Sequence, residues 1–285
     1  MDGKLLALVT ATCFGLNPVV LKLGFQRKGT SEVALVIGLA VTVPIYILVA
    51  PLIGGLDFGA VTVPALIGFI LGGLFGTGIG RRWMYIAIER IGASPATAIK
   101  NSAPVITTFL AVLFLGEEVT FVQWLAVASI VAGITLVTWK PGAGLGQLRD
   151  VGLLAAIGSA LSYGVRPLFL EWGLDQVDIP MTAALIGAVA ALVYASLFTR
   201  LDRMRAGLLG PAAPFFLGAG VLQAFGFLSL TFGLSSDDVS IVYPVTSSAP
   251  LFTLAFTALL LRGVETLTWR IVLGAAAVVA GVIWL

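Results

Sequence analysis

Basic side chains inside long apolar runs are the residues of this sequence best suited to chemistry. Lys100 and Arg166 lie deepest, while Arg81 and Arg82 occupy the second half of another apolar run. A charge near mid-membrane costs roughly 2.5–3.5 kcal/mol on the insertion scale, so such groups usually face a cavity or a partner. Arginine can hold a carboxylate through two parallel hydrogen bonds. Lys100 and Arg166 therefore predict a polar cavity for a carboxylated solute, whereas Arg81 and Arg82 could also snorkel to the membrane surface.

Polar and aromatic side chains lie near these cations along the chain. On helical spacing Arg82 shares a face with Tyr85, as Tyr163 does with Arg166. Such a set could bind a planar or zwitterionic solute, although single tyrosines also anchor helices at membrane surfaces. The predicted solute-binding residues are Asn17, Arg82, Tyr85, Lys100, Asn101, Tyr163, Arg166, Gln223, Tyr243 and Ser247.

The residue types that catalysis most often uses are missing. Histidine is absent, Cys13 is the one cysteine, and no two carboxylates lie deep inside apolar runs. The chain therefore lacks the parts of zinc-dependent, serine–histidine and aspartyl catalysis, and we predict no enzyme activity, metal or cofactor. A lysine-assisted serine mechanism through Lys100 and Ser102 stays as an alternative, although adjacent helical turns aim these side chains apart. No Gly-x-x-x-x-Gly-Lys-Ser/Thr motif for ATP occurs, and we predict no requirement for an ATPase subunit.

Composition predicts a chain that is nearly all membrane. Of 285 residues, 59% are apolar and 11% are charged, whereas soluble domains run near 45–50% apolar and about 25% charged. At about 20 residues per span plus a short loop, the length allows about ten helices. Their predicted positions are 4–24, 33–54, 64–88, 95–115, 119–139, 151–172, 180–199, 211–234, 238–261 and 268–285. A net charge of +2 without a basic run excludes a nucleic-acid partner.

The loops differ in charge between the two sides of the membrane. Loops after odd-numbered spans carry Arg27, Lys28, Arg90, Lys140, Arg149, Arg200, Arg203, Arg205, Arg262 and Arg270, and the opposite side carries Lys4 alone. Because lysine and arginine stay on the cytoplasmic side, we predict a multi-pass protein of the plasma (inner) membrane with both termini outside. Every Asp and Glu maps to a loop or a span end. We therefore predict transport that is facilitated, or coupled by a group other than a buried carboxylate.

The two halves of the chain repeat a pattern. Gly15-Leu-Asn-Pro-Val-Val-Leu-Lys-Leu-Gly24 aligns with Gly164-Val-Arg-Pro-Leu-Phe-Leu-Glu-Trp-Gly173 at an offset of 149, and Ser102-Ala-Pro104 aligns with Ser248-Ala-Pro250. Each half holds five spans, an odd number, so the second half enters the membrane from the opposite side. Inverted repeats recur in secondary transporters, where they expose one central site alternately to each side.

These patterns together predict the fold. We expect an all-α integral membrane protein of ten transmembrane helices, built as two inverted five-helix repeats, residues 1–140 and 150–285, around a central cavity. Pro18, Pro104, Pro167 and Pro250 fall near mid-span in both halves, and we expect them to kink their helices and act as hinges. Spans five and ten are apolar all round and should be peripheral.

Further motifs resemble the drug/metabolite transporter superfamily, EamA type, over nearly the whole chain. They are the Gly/Pro-bearing first helix of each half, Ile91-Gly-Ala-Ser-Pro-Ala-Thr-Ala, Leu115-Gly-Glu117 and Gln123-Trp. The resemblance implies a ten-helix basket that moves metabolites such as amino acids, often outward. We therefore predict a secondary transporter of amino acids or related carboxylated solutes. The alternatives are a multidrug or cationic-compound exporter of the same superfamily, a channel or scaffold, and an intramembrane enzyme.

Overall fold

The computed structural model describes residues 3–52, 54–115, 120–138, 150–236, 245–264 and 266–284. Within these ranges the chain is helical and forms no strand. The helices are α1 (Gly3–Gln26), α2 (Ser31–Val49), α3 (Val63–Gly73), α4 (Arg81–Ile91), α5 (Ala93–Lys100), α6 (Ala103–Leu115), α7 (Phe121–Thr138), α8 (Val151–Gln176), α9 (Pro180–Phe198), α10 (Leu201–Leu209), α11 (Ala213–Ser236), α12 (Ala249–Leu260) and α13 (Trp269–Trp284). A 3₁₀ turn, Ala50–Leu52, extends α2, and a π-helical turn, Leu74–Gly80, joins α3 to α4.

Length and apolar composition make this a multi-pass membrane protein. In the described part of the chain, six helical segments are long and apolar enough to cross a membrane: Gly3–Gln26, Ser31–Leu52, Val63–Ile91, Val151–Gln176, Pro180–Phe198 and Ala213–Leu230. Phe121–Val137, Val245–Leu260 and Trp269–Trp284 are shorter apolar helices. These nine segments coincide with nine of the spans predicted from sequence, and the remaining one is divided between α5 and α6. The count of ten crossings therefore stays a prediction.

Glycines at equivalent positions of the two halves make equivalent close contacts. A Cβ atom at Gly15 would lie 2.9 Å from the Ala249 carbonyl oxygen, and one at Gly164 would lie 2.8 Å from the Ala103 carbonyl oxygen. These contacts bring α1 against α12 and α8 against α6. Both pairs are related by the sequence repeat, which is the pattern that a pseudo-twofold axis between the halves produces.

Glycine pairs also bring two further helix crossings into backbone contact. Gly73 of α3 meets Gly187 of α9, where an added Cβ would overlap the opposing backbone. Gly220 of α11 meets Gly38 of α2, with only 2.9 Å between a Cβ at Gly220 and the Gly38 carbonyl oxygen. Small residues let transmembrane helices approach closely, and dispersion contacts then stabilise the crossing because lipid supplies no hydrophobic drive.

The repeated Ser-Ala-Pro motif interrupts the helix twice in the same way, between α5 and α6 and between residues 245–247 and α12. The Ser102 hydroxyl donates to the Ile99 carbonyl at 2.7 Å, and the Ser248 hydroxyl donates to the Val245 carbonyl at 2.5 Å. A new helix begins immediately afterwards, α6 at Ala103 and α12 at Ala249.

This break changes the expected role of two prolines. Pro104 and Pro250 lie in the first turns of α6 and α12 rather than in the interior of a helix. The N–H groups of a first turn have no carbonyl partner within the helix, so a proline there leaves no carbonyl unpaired. These two prolines therefore follow a break and do not kink a helix. Pro18 and Pro167 lie inside α1 and α8, as expected. Whether any of the four acts as a hinge stays a prediction.

Helices α7 and α13 pack mainly against each other, away from the other helices' central cavity. Gly133 and Gly274 approach through their backbones, so that a Cβ at either would lie within 2.6 Å of the other's carbonyl oxygen. The outer face of α7 exposes Phe121, Trp124 and Leu125. An apolar exposed face of this kind suits contact with lipid tails, as expected of spans five and ten.

The α3–α9 crossing yields a stability prediction. We expect Gly73→Ala to lower the free energy of unfolding by about 1–3 kcal/mol, because the added methyl overlaps the backbone of Gly187. Gly218→Ala is the matched control, since a Cβ there would meet only a Val20 methyl at 4.0 Å. Denaturant titration in detergent micelles measures both. Equal stabilities of the two variants would contradict the close crossing.

Candidate functional site

A polar cavity of about 240 Å³ lies between α1, α2, α4, α5, α8, α9, α11 and α12. Its polar and aromatic lining is Phe14, Asn17, Tyr46, Thr77, Arg81, Tyr85, Thr97, Lys100, Asn101, Tyr163, Arg166, Gln223, Phe227 and Thr246. Both halves of the chain supply these residues. The π-helical turn and the break between α5 and α6 border the cavity, which is where irregular backbone is tolerated at membrane depth.

Arg81 is the most deeply buried cation of the cavity. Its side chain is only 6% exposed, and its Nε and Nη1 atoms have no hydrogen-bond partner. Tyr163 lies within hydrogen-bond reach of the guanidinium, and Tyr85 and Tyr46 are further neighbours. Since a buried polar group without a partner is costly, the unpaired Arg81 nitrogens mark a place for an acceptor that the described residues do not supply.

Lys100 and Arg166 meet at Tyr163. The Lys100 ammonium lies 5.0 Å from the centre of the Tyr163 ring, close enough for a cation–π contact. Arg166 lies three residues after Tyr163 on α8, just under one helical turn, and its aliphatic stem packs on Gly76 of the π-helical turn. A Cβ at Gly76 would overlap this stem. The absence of a side chain at Gly76 is therefore what lets Arg166 reach the cavity.

No described carboxylate balances these three cations. Within the described ranges the cavity lining contains no Asp or Glu, and the two ion pairs, Arg200–Asp202 and Arg203–Glu32, lie elsewhere on exposed positions. The described residues also hold no group of three His, Cys, Asp or Glu side chains suited to a metal ion. The described lining of the cavity therefore carries net positive charge.

Neutral amides complete the polar lining. The Asn17 side chain donates to the Ala219 carbonyl at 2.6 Å and ties α1 to α11. Asn101, in the break between α5 and α6, donates to the Ser247 carbonyl at 3.3 Å. Asn101 and Ser247 are equivalent positions of the two halves, so the two helix breaks meet directly beside the cavity. Gln223 lines the cavity from α11.

A second, smaller cavity of about 90 Å³ adjoins the first between α3, α8 and α9. Thr77, Arg166, Ala184 and Phe227 line both. The smaller cavity reaches Leu174 near the end of α8 and Pro180 at the start of α9. Arg166 thus stands between the central cavity and the end of the bundle where α9 begins.

The structure brings together seven of the ten residues that the sequence singled out. Asn17, Tyr85, Lys100, Asn101, Tyr163, Arg166 and Gln223 line the cavity. Ser247 contributes its backbone carbonyl beside the cavity, while Tyr243 lies outside the described residues.

Arg82 is placed differently from the sequence expectation. Its guanidinium donates to the Tyr194 hydroxyl at 3.3 Å and lies 5.4 Å from the Phe198 ring centre, both on α9 and outside the cavity lining. Arg81 faces the cavity in its place. Tyr85 is three residues from Arg82 and four from Arg81, so helical spacing allowed either arginine to share its face.

Sequence reasoning also omitted several other lining residues from the site. Thr77, Thr97 and Thr246 carry hydroxyls, and Tyr46 and Phe227 carry rings. Thr77 and Thr246 lie close to selected residues in the sequence, which was an available signal. Tyr46 and Phe227 lie in continuous apolar runs and carry no such signal.

This chain resembles one known protein family and a set of solved structures. The family described as "EamA-like transporter family" matches residues 1–139 and again residues 150–285. No curated protein matches the chain. Among 21 matching chains of solved structures, one described only as "Crystal structure of protein" has a TM-score of 0.60 at 15% identity, over 99% of this chain and 96% of its own. At that identity the likeness shows a shared fold and nothing of function.

The electropositive cavity predicts charge-selective thiol labelling. In a Cys13→Ala background, we expect Gln223→Cys to react faster with a sulfonate-bearing methanethiosulfonate than with a quaternary-ammonium one, because the three cations attract the anion. Each rate is normalised to the rate of the same reagent with the neutral thiol 2-mercaptoethanol, which corrects for intrinsic reactivity. Mass spectrometry of membranes measures both. A normalised preference for the cationic reagent would contradict an electropositive cavity.

Proposed function

The chain belongs to the EamA-like transporter family, and on that premise we propose that it is a secondary transporter of carboxylated small metabolites, amino acids among them. The single observation that carries the substrate class is the cavity with Arg81, Lys100 and Arg166 and no described carboxylate. A carboxylate can accept paired, charge-assisted hydrogen bonds from an arginine, and these are stronger than neutral ones. The tyrosines beside the cations offer a flat surface to the rest of the solute.

Alternating access is the proposed mode of transport. We assign residues 1–140 and 150–285 to two inverted five-helix repeats in ten spans, with both termini outside the plasma (inner) membrane. The double family match and the equivalent glycine contacts support this assignment. Two halves with the same internal contacts can exchange conformations, which would open the shared cavity first to one side and then to the other.

A cationic-compound exporter fits the cavity less well. An organic cation would meet like charges in an interior where screening is weak, and no described acidic side chain would offset the repulsion. An intramembrane serine enzyme also lacks support. The Ser102 hydroxyl is engaged with the Ile99 carbonyl at 2.7 Å and does not line the cavity with Lys100.

Neutralising the cavity cations should impair transport. We expect Arg166→Gln and Lys100→Gln each to weaken the apparent affinity for a carboxylated solute by about 10- to 100-fold, the loss of one charge-assisted contact. Arg82→Gln is the matched control, because Arg82 is adjacent to Arg81 in the sequence but its guanidinium contacts α9 outside the cavity lining. Uptake into proteoliposomes measures all three. Unchanged uptake in both cavity variants, or saturable transport of a quaternary ammonium dye by the unmodified protein, would contradict the proposal.

Coupling to protons through a carboxylate is not expected. Every described Asp and Glu lies outside the cavity lining, so no such group can exchange a proton for the solute there. We expect Glu89→Gln and Glu171→Gln to leave solute accumulation under an imposed pH gradient unchanged. Loss of pH-driven uptake on neutralising any single Asp or Glu would contradict this mechanism.

A further inference from the structure

Three cations converge on one side chain of the cavity, Tyr163. Arg81 reaches its hydroxyl, Lys100 lies over its ring at 5.0 Å, and Arg166 follows it on the same face of α8. The cations therefore act on the same small volume. Their charges must be considered together when the charge of the solute is inferred.

The three cations differ in how far the protein already satisfies them. The Tyr163 ring supplies the Lys100 ammonium with a cation–π partner. By contrast, the Nε and Nη1 atoms of buried Arg81 have no partner. Arg166 also lines the cavity and is only half-buried. Arg81 on α4 thus keeps two unpaired donor atoms, and Arg166 on α8 offers a second guanidinium to the same cavity.

Charge counting then limits the solute. A zwitterionic amino acid brings no net charge and leaves all three positive charges unbalanced. A monocarboxylate held by Arg166 leaves the buried Arg81 unpaired, which is the costly arrangement, and one held by Arg81 leaves Arg166 without an anion. A solute with two oxyanion groups supplies both acceptors. The cavity of about 240 Å³ is smaller than the roughly 300–1,000 Å³ typical of sites for drug-sized ligands, so the solute must be compact.

We infer that the transported solute is a compact organic dianion, with one oxyanion group held by Arg81 and the other by Arg166, beside Lys100. This inference rests on the proposed function and narrows its substrate class. Arg81 is then the residue that separates dianions from monoanions. A dicarboxylate supplies these two groups, whereas a phosphate monoester carries both of its charges on one group.

The test compares solutes that differ in charge but not in length. Binding of succinate and butyrate, each with four carbons, to the purified protein is measured by thermal shift, with glycerol 3-phosphate as the phosphate monoester. We expect the dissociation constant of succinate to lie at least 10-fold below that of butyrate. Tighter binding of glycerol 3-phosphate than of succinate would contradict the arrangement of two separate oxyanion groups.

Variants then test the role of Arg81. We expect Arg81→Gln to reduce the succinate-to-butyrate preference by about 10-fold, and Arg82→Gln to leave the preference unchanged. The comparison on the unmodified protein decides the inference even if Arg81→Gln fails to fold. Butyrate binding as tightly as succinate would overturn the dianion inference and leave the proposed function standing. Binding of no carboxylated solute would overturn the proposed function itself.

Discussion

Uncompensated positive charge inside a membrane-embedded bundle is the constraint on which the remaining structure depends. Arg81, Lys100 and Arg166 are drawn from α4, α5 and α8, and no described carboxylate shares their cavity. Such an arrangement is costly in a low-dielectric interior unless a solute or water satisfies the charges. The surrounding tyrosines reduce that cost, and Gly76 leaves room for the Arg166 stem. The cost that remains is what an anionic solute would relieve.

The fold places these cations by using the same local devices in both halves. Ser-Ala-Pro breaks one helix at Ser102 and another at Ser248, and the two breaks meet through the Asn101–Ser247 hydrogen bond. Paired glycines bring the helices around the cavity into backbone contact. The cavity is thus the space left where two broken helices and two proline-bearing helices, α1 and α8, come together.

Much of this arrangement could be predicted from local sequence. The apolar runs indicated the helices, and deep charges near polar residues indicated most of the cavity lining, including Lys100, Arg166 and Tyr163. The choice between Arg81 and Arg82 could not be predicted, because both lie within helical reach of Tyr85 and only the packing of Arg82 on α9 separates them. Tyr46 and Phe227 were missed for a related reason, since their contribution depends on tertiary packing alone. Pro104 and Pro250 indicated that the helices are irregular there. They did not indicate that each proline follows a break at which a serine hydroxyl donates to the carbonyl three residues earlier.

The electrostatic sign of the cavity is tested most directly by ligand-induced stabilisation of the purified protein. The melting temperature in detergent would be followed while a panel of carboxylates and a panel of quaternary ammonium dyes of similar size are titrated. A ligand that binds the folded state raises the melting temperature with concentration. An electropositive cavity predicts saturable stabilisation by carboxylates, lost in Arg166→Gln and retained in Arg82→Gln, and none by the dyes. Saturable stabilisation by the dyes, with no response to any carboxylate, would contradict it.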